Sequence, residues 1–122
     1  MVERISDAEH EIMEVLWKQS PLTATEVADQ VVAEKDWSLQ TVKTLLSRLT
    51  TKAVVGTERE GRRFLYSPLV ERDIYLAGVS RKFVDRLFGG KVTPLVAHLA
   101  EADELSADDI REIEELLREL KG

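Results

Sequence analysis

Apolar residues recur through the first fifty positions at spacings that suit helices and not strands. Ile12, Met13, Leu16 and Trp17 fall on one face of a helix that Ser6 can cap, with Glu9 three residues on as its reciprocal partner. Ile5 is placed to staple onto the first turns, and Ser20-Pro21 stops the helix. A second helix starts at Thr23 or Thr25, with Val27, Ala28, Val31 and Val32 as its apolar stripe. Its β-branched valines lower its intrinsic propensity, so packing must hold it. A third follows the cap residue Ser38, and Leu39, Val42, Leu45, Leu46 and Leu49 define its inward face.

The period then changes. Residues 54–58 and 63–67 are rich in β-branched or aromatic side chains, are separated by Glu60-Gly61, and read as a β-hairpin closed by Pro68. Phe64 and Tyr66 are expected to pack beneath it. Three helices followed by a two-stranded hairpin is the order of a winged helix-turn-helix, with the hairpin as the wing.

Beyond residue 70 the pattern is helical again. A long helix over 70–88 carries Ile74, Val79, Phe83, Val84, Leu87 and Phe88 and ends at Gly89-Gly90. The next is expected to be capped by Thr93 with Pro94 at its first position. The last begins at Ser106, where "SADD" forms a capping box, and lines Ile110, Ile113, Leu116, Leu117 and Leu120 along one face. Three helices this short cannot cover so much apolar surface alone. Pairing with a second copy through Phe83, Leu87, Phe88, Leu95, Leu99, Leu105, Ile110, Ile113 and Leu117 is the economical solution, against the alternative of docking onto the same chain. The predicted fold is therefore mainly α with a small β-hairpin: a winged helix-turn-helix DNA-binding domain over 1–69, then an α-helical dimerisation region over 70–122.

Charge sharpens this picture. The formal net charge is -6, but Lys+Arg against Asp+Glu run 3 to 9 over residues 1–36, 6 to 2 over 37–66, 5 to 3 over 67–100 and 3 to 9 over 101–122. Two acidic ends flank a basic middle, which argues against non-specific binding by the whole surface and for one local phosphate-attracting face. The outer face of the third helix reads Gln40, Thr41, Lys43, Thr44, Ser47, Arg48 and Thr51, without one acidic residue. Short hydroxyls let a helix sit deep in a major groove; Gln40 suits adenine, and Lys43 and Arg48 suit phosphate or guanine. Ser38 and Lys52 at the helix ends and Arg62 and Arg63 of "REGRRFLY" complete the expected DNA contacts. The bland readings are a solvated polar face and edge-strand protection by the arginines. A winged-helix module that binds protein and not DNA is the alternative function.

Other chemistry has little support. Cysteine is absent, which removes disulfides, thiolate metal sites and cysteine nucleophiles. His10, expected on an exposed position, and His98, on an amphipathic one, belong to no metal-ligand spacing and read as surface or packing residues. Gly89-Gly90 lacks the lysine and serine context of a phosphate loop. No enzyme activity, metal or cofactor is expected. Residues 1–16 carry charges throughout, and no stretch approaches the roughly 20 apolar residues needed to span a bilayer, so a soluble cytoplasmic protein without membrane insertion is expected.

Over nearly the whole chain, "ISDAEHEIMEVLW", "SPLTATEV", "WSLQTVKTLLSRLTTKAVV", "EGRRFLYSPLV", "VDRLFGG" and "PLVAHLAEADELSADDIREIEELLREL" resemble the BlaI/MecI/CopY family of bacterial winged-helix repressors. The resemblance implies a homodimer on an inverted-repeat operator of double-stranded DNA, controlling β-lactam-resistance-type or related genes. It places the family's recognition positions on Gln40, Thr41, Lys43 and Thr44 and its wing Gly-Arg on Gly61-Arg62. The copper-responsive branch carries clustered C-terminal cysteines, and this chain has none. In the antibiotic-responsive branch a membrane sensor acts indirectly through cleavage of an Asn-Phe bond, and the matching position here is His98-Leu99.

Overall fold

The computed structural model describes residues 5–32 and 35–122, together with all their side chains except that of Val32. The expected place of Val32 in an apolar stripe therefore lies outside the described residues. In chain order the elements are α1 (Asp7–Lys18), α2 (Ala24–Val32), α3 (Leu39–Thr51), β1 (Val55–Glu60), β2 (Arg63–Pro68), α4 (Arg72–Phe88), α5 (Val92–Glu101) and α6 (Ala107–Lys121). The chain forms two compact units, Met1–Val79 and Ser80–Gly122, and the division falls within α4.

In the first unit, local sequence signals start each helix. Ser6 Oγ accepts from the Glu9 backbone N–H while Glu9 Oε1 accepts from the Ser6 N–H, closing the predicted capping box. Thr23 and Glu26 make the same reciprocal pair at the start of α2, which settles the cap on Thr23. Ser38 Oγ accepts from the Thr41 N–H to start α3.

The apolar stripes of these helices meet in one core. Ile12, Met13 and Leu16 of α1, Val27 and Val31 of α2, and Val42, Leu45, Leu46 and Leu49 of α3 are buried together with Ile5, Leu22, Val54, Val55 and Tyr75. Leu39 departs from its expected inward place: as the first residue of α3 it reaches past the core and is 40% exposed.

The end of α3 carried no glycine signal, yet it closes like a glycine-capped helix. The Ala53 N–H bonds the Thr50 carbonyl, the Val54 N–H bonds the Leu49 carbonyl, and Ala53 has φ of 61°. An alanine held in the left-handed region costs about 1 kcal/mol. Ala53→Gly is accordingly expected to raise stability by about 1 kcal/mol in chemical denaturation, with no change in the folded circular-dichroism spectrum.

The hairpin pairs antiparallel from Val55 opposite Pro68 to Glu60 opposite Arg63. Its two-residue turn is Gly61-Arg62, one position later than the expected Glu60-Gly61, and Gly61 takes φ of 63°, the sign that leads a type II′ turn. Leu22 adds a single bridge to Tyr66 through both backbone hydrogen bonds, anchoring the base of the wing on the segment between α1 and α2.

After the wing, Trp17 Nε1 donates to the Val70 carbonyl at 2.9 Å and Arg72 pairs with Glu14. The hydrogen bond from Arg72 is the main reason that the Glu14 carboxyl lies below its ordinary value. Tyr75, in the first turns of α4, is buried against Trp17 and His10, with ring centroids 5.7 and 6.3 Å away. His10 is thus half-buried in an aromatic cluster and not on the exposed position expected for it.

The second unit holds the rest of α4 with α5 and α6. Gly89 and Gly90, both at positive φ, end α4 as expected. The start of α5 differs: Lys91 is its cap residue, no side chain caps it, and Thr93 and Pro94 lie inside the first turn. Proline is tolerated there because the first N–H groups of a helix have no intrahelical partner. Ser106 and Asp109 form the predicted capping box of α6.

Candidate nucleic-acid interface

The two faces of α3 separate cleanly. Val42, Leu45, Leu46 and Leu49 are buried, whereas Gln40, Thr41, Lys43, Thr44, Ser47 and Arg48 are all exposed. The structure therefore presents this polar, acid-free row to solvent as one surface. Two of its hydroxyls are already oriented. Thr44 Oγ1 donates to the Gln40 carbonyl at 3.0 Å, and Thr41 Oγ1 lies 3.1 Å from Ser38 Oγ. Thr44 thus keeps its methyl group and an acceptor lone pair for a base edge. Ser38, for its part, is committed to capping α3.

Lys52 requires a correction. Its ammonium turns inward and lies 2.8 Å from Oε1 of Glu9, which is only 2% exposed. It joins the C-terminal end of α3 to the capping box of α1 and does not extend the DNA-facing row. Burial pushes the Glu9 carboxyl up, but the hydrogen bonds from Lys52 and Ser6 outweigh it, and the net direction is below the ordinary value of 4.5.

The wing brings the second set of cations. Arg62 is exposed in the turn, and Arg63 is exposed across from Glu60, with which it forms an ion pair. A groove of about 500 Å³ runs from the start of α2 to the wing, lined by Thr23, Thr25, Glu26, Lys43, Arg62 and Arg63 among others. The structure thus gathers Lys43 of α3 with both wing arginines. Glu26 is the acidic residue on this groove, and it is occupied: its carboxylate is held down by the Thr23 backbone N–H first, then by the Thr23 hydroxyl, with Arg63 adding to the effect.

Sequence reasoning missed two features here. Thr25, at the start of α2, lines the groove. Phe64, expected beneath the wing, is 51% exposed, because the hairpin projects beyond the core and only its base, at Val55 and Tyr66, packs there. The strand register would have shown it, since Phe64 pairs with Arg59 well past the last buried position of β1.

In the second unit the expected association residues lie on the surface. Phe83, Leu87, Leu99, Ile110 and Leu117 are exposed, and Phe88, Leu95, Leu105 and Ile113 are half-buried. Val84 alone among the described hydrophobic residues of that unit is buried. His98 tilts against Phe88 at 5.8 Å between ring centroids, a packing contact.

A three-helix core with a hairpin wing and an acid-free outer face on the third helix defines a winged helix-turn-helix protein. The solution structure of the DNA-binding domain of the repressor BlaI matches this fold with a TM-score of 0.54 and 38% identity, over 59% of this chain and 88% of that one. The chain belongs to the penicillinase repressor family, whose model matches residues 5–119. A penicillinase repressor of Bacillus licheniformis is 35% identical over 99% of this chain and 94% of its own length. The methicillin resistance regulatory protein MecI of Staphylococcus aureus strain N315 is 31% identical over 93% of this chain and 92% of its own. No helix among the described residues is long and apolar enough to cross a membrane.

Proposed function

We propose that this chain is a homodimeric, sequence-specific DNA-binding repressor that places α3 in the major groove of each half of an inverted-repeat operator and lays the wing on the flanking backbone. The observation that carries this reading is the exposed row Gln40, Thr41, Lys43, Thr44, Ser47 and Arg48, of which Lys43 lines one groove with Arg62 and Arg63, with every side chain able to address a base edge or a phosphate. A solved relative supports it: BlaI in monomeric form, in complex with the blaP half-operator, matches with a TM-score of 0.53 and 37% identity over 60% of this chain. In this reading residues 1–69 form the DNA-binding part, onto which the first turns of α4 pack through Tyr75 and Arg72, and the rest of residues 70–122 forms the dimerisation part, with the uncovered apolar residues of α4, α5 and α6 facing the second copy.

The mechanism is positional. Phosphate contacts from Lys43, Arg62 and Arg63 fix register and orientation, and Thr44 and Gln40 read bases. The acidic α6 repels DNA and keeps the association surface off the duplex. A membrane sensor protease, the indirect partner that the family resemblance implies, would meet His98-Leu99 inside α5, where the backbone is helical. Intact-mass analysis of protein from induced cells is expected to find this bond uncut.

Selecting duplexes from a random pool tests the reading, and the recovered sequences are expected to contain an inverted repeat. Arg62→Ala is expected to weaken every duplex alike by about tenfold and to reduce the slope of log affinity against log salt by about 1.8 for the dimer on a full operator, as loss of one phosphate contact from each of its two wings requires. Thr44→Ala is expected to leave that slope intact and to relax preference at one base pair of each half-site. Equal behaviour of the two variants would remove the division of labour.

A further inference from the structure

Phe64 and Arg59 have no part in the interface described so far, yet they stand on its edge. Facing residues of the hairpin share one side of the ribbon, so Val55, Thr57, Arg59, Phe64 and Tyr66 lie on the same side. At the base of the wing that side is buried, with Val55 in the core and Tyr66 packed against it. Toward the tip the core ends, and the same side continues as a wall of the groove that Lys43, Arg62 and Arg63 line. Phe64 is thus an exposed aromatic ring among cations. Arg59 holds it in place: its guanidinium carbon lies 6.0 Å from the ring centroid, and its Nε donates to the Gly61 carbonyl of the turn at 3.0 Å.

Charge identifies the occupant. A groove lined by Lys43, Arg62 and Arg63 together with Phe64, in which the cations outnumber the single carboxylate of Glu26, matches a phosphodiester strand, in which anionic phosphates alternate with uncharged sugars. We propose that Phe64 packs on a deoxyribose of the DNA strand seated in this groove, between phosphates held by Lys43 and Arg62, with Arg59 bracing the ring. This rests on the DNA-binding reading above and adds to it an apolar contact that helps to seat the wing. The contact differs from base stacking, which belongs mainly to single strands.

An apolar contact and a phosphate contact differ in their response to salt, because only the latter releases counterions. The test is fluorescence anisotropy with a duplex that the wild-type protein selects from a random pool, titrated over a salt series. Phe64→Ala is expected to lower affinity about five- to tenfold at every salt concentration with the slope unchanged, as loss of a partly buried aromatic contact would. Phe64→Leu keeps most of the affinity and Phe64→Gln, similar in size but polar, behaves like the alanine variant. Because the ring is half exposed, melting temperatures are expected to stay near wild type; should the alanine variant melt early, the leucine and glutamine pair decides. Wild-type affinity in both Phe64→Ala and Phe64→Gln overturns the proposal, as does a reduced salt slope, which would mean that the wing arginines had moved. Failure of the wild-type protein to select any duplex refutes the DNA-binding reading instead, and is distinguished by that.

Discussion

Lys52→Met is expected to destabilise the protein by about 3 kcal/mol at neutral pH, one of the largest effects of any single exchange outside the apolar core. The methionine keeps most of the stem that packs beside Glu9 but removes the ammonium 2.8 Å from Oε1. Glu9 then remains 2% exposed with a full charge, with the Ser6 N–H still donating to Oε1 and with Oε2 already lacking a hydrogen bond among the described residues. An uncompensated buried carboxylate is costly because its desolvation is no longer offset.

The pH dependence gives a second check. In the wild type the Glu9 carboxyl sits below its ordinary value of 4.5, so its contribution is fully present above that pH and is lost as pH falls through the lowered value. In the variant, burial prevails and raises the carboxyl, which then takes up a proton on mild acidification and relieves its own penalty. The stability gap between the two proteins should therefore shrink as pH falls toward 4. Urea denaturation at a series of pH values measures it; a gap that is absent at neutral pH, or that widens in acid, contradicts the assignment.

The second large effect concerns the association surface. Ile110 and Leu117 are both exposed on α6, two turns apart on one face, while Ser106 and Asp109 cap the helix independently of them. Replacing both with aspartate places charges where a second copy would bury alkyl groups, and is expected to give a folded monomer by sedimentation. With two half-sites no longer engaged by one particle, affinity for the full inverted repeat should fall by about a hundredfold or more, whereas affinity for a single half-site should change little. A double variant that stays dimeric would place the interface elsewhere on the unit.

Local signals made most of the fold legible in the amino-acid sequence. Ser6 with Glu9 and Ser106 with Asp109 marked helix starts through side chains that bond their own backbone, and those bonds form. The inward faces of α1 and α3 followed from period, and they are buried apart from Leu39 and the half-buried Trp17. What escaped depended on where the core stops. Periodicity says which side of a helix or strand turns inward but not how far the neighbouring elements extend, so Leu39 at a helix start and Phe64 near a hairpin tip lie beyond it. Lys52 escaped for a related reason: composition marks it as one more cation of a basic stretch, and only the packing of α1 against α3 brings Glu9, 43 residues earlier, beneath it. Thr93 illustrates a different limit, since Thr-Pro is a good start signal, yet α5 begins at Val92, directly after Gly89, Gly90 and the cap residue Lys91.

If the acid-free face of α3 and the wing cations grip duplex DNA, salt titration of wild-type binding tests that grip most directly. Affinity for a selected duplex is predicted to fall linearly in log–log form as salt rises, with a slope that reflects several phosphate contacts per dimer. Binding that does not change with salt, or no binding to any duplex at low salt, would contradict it.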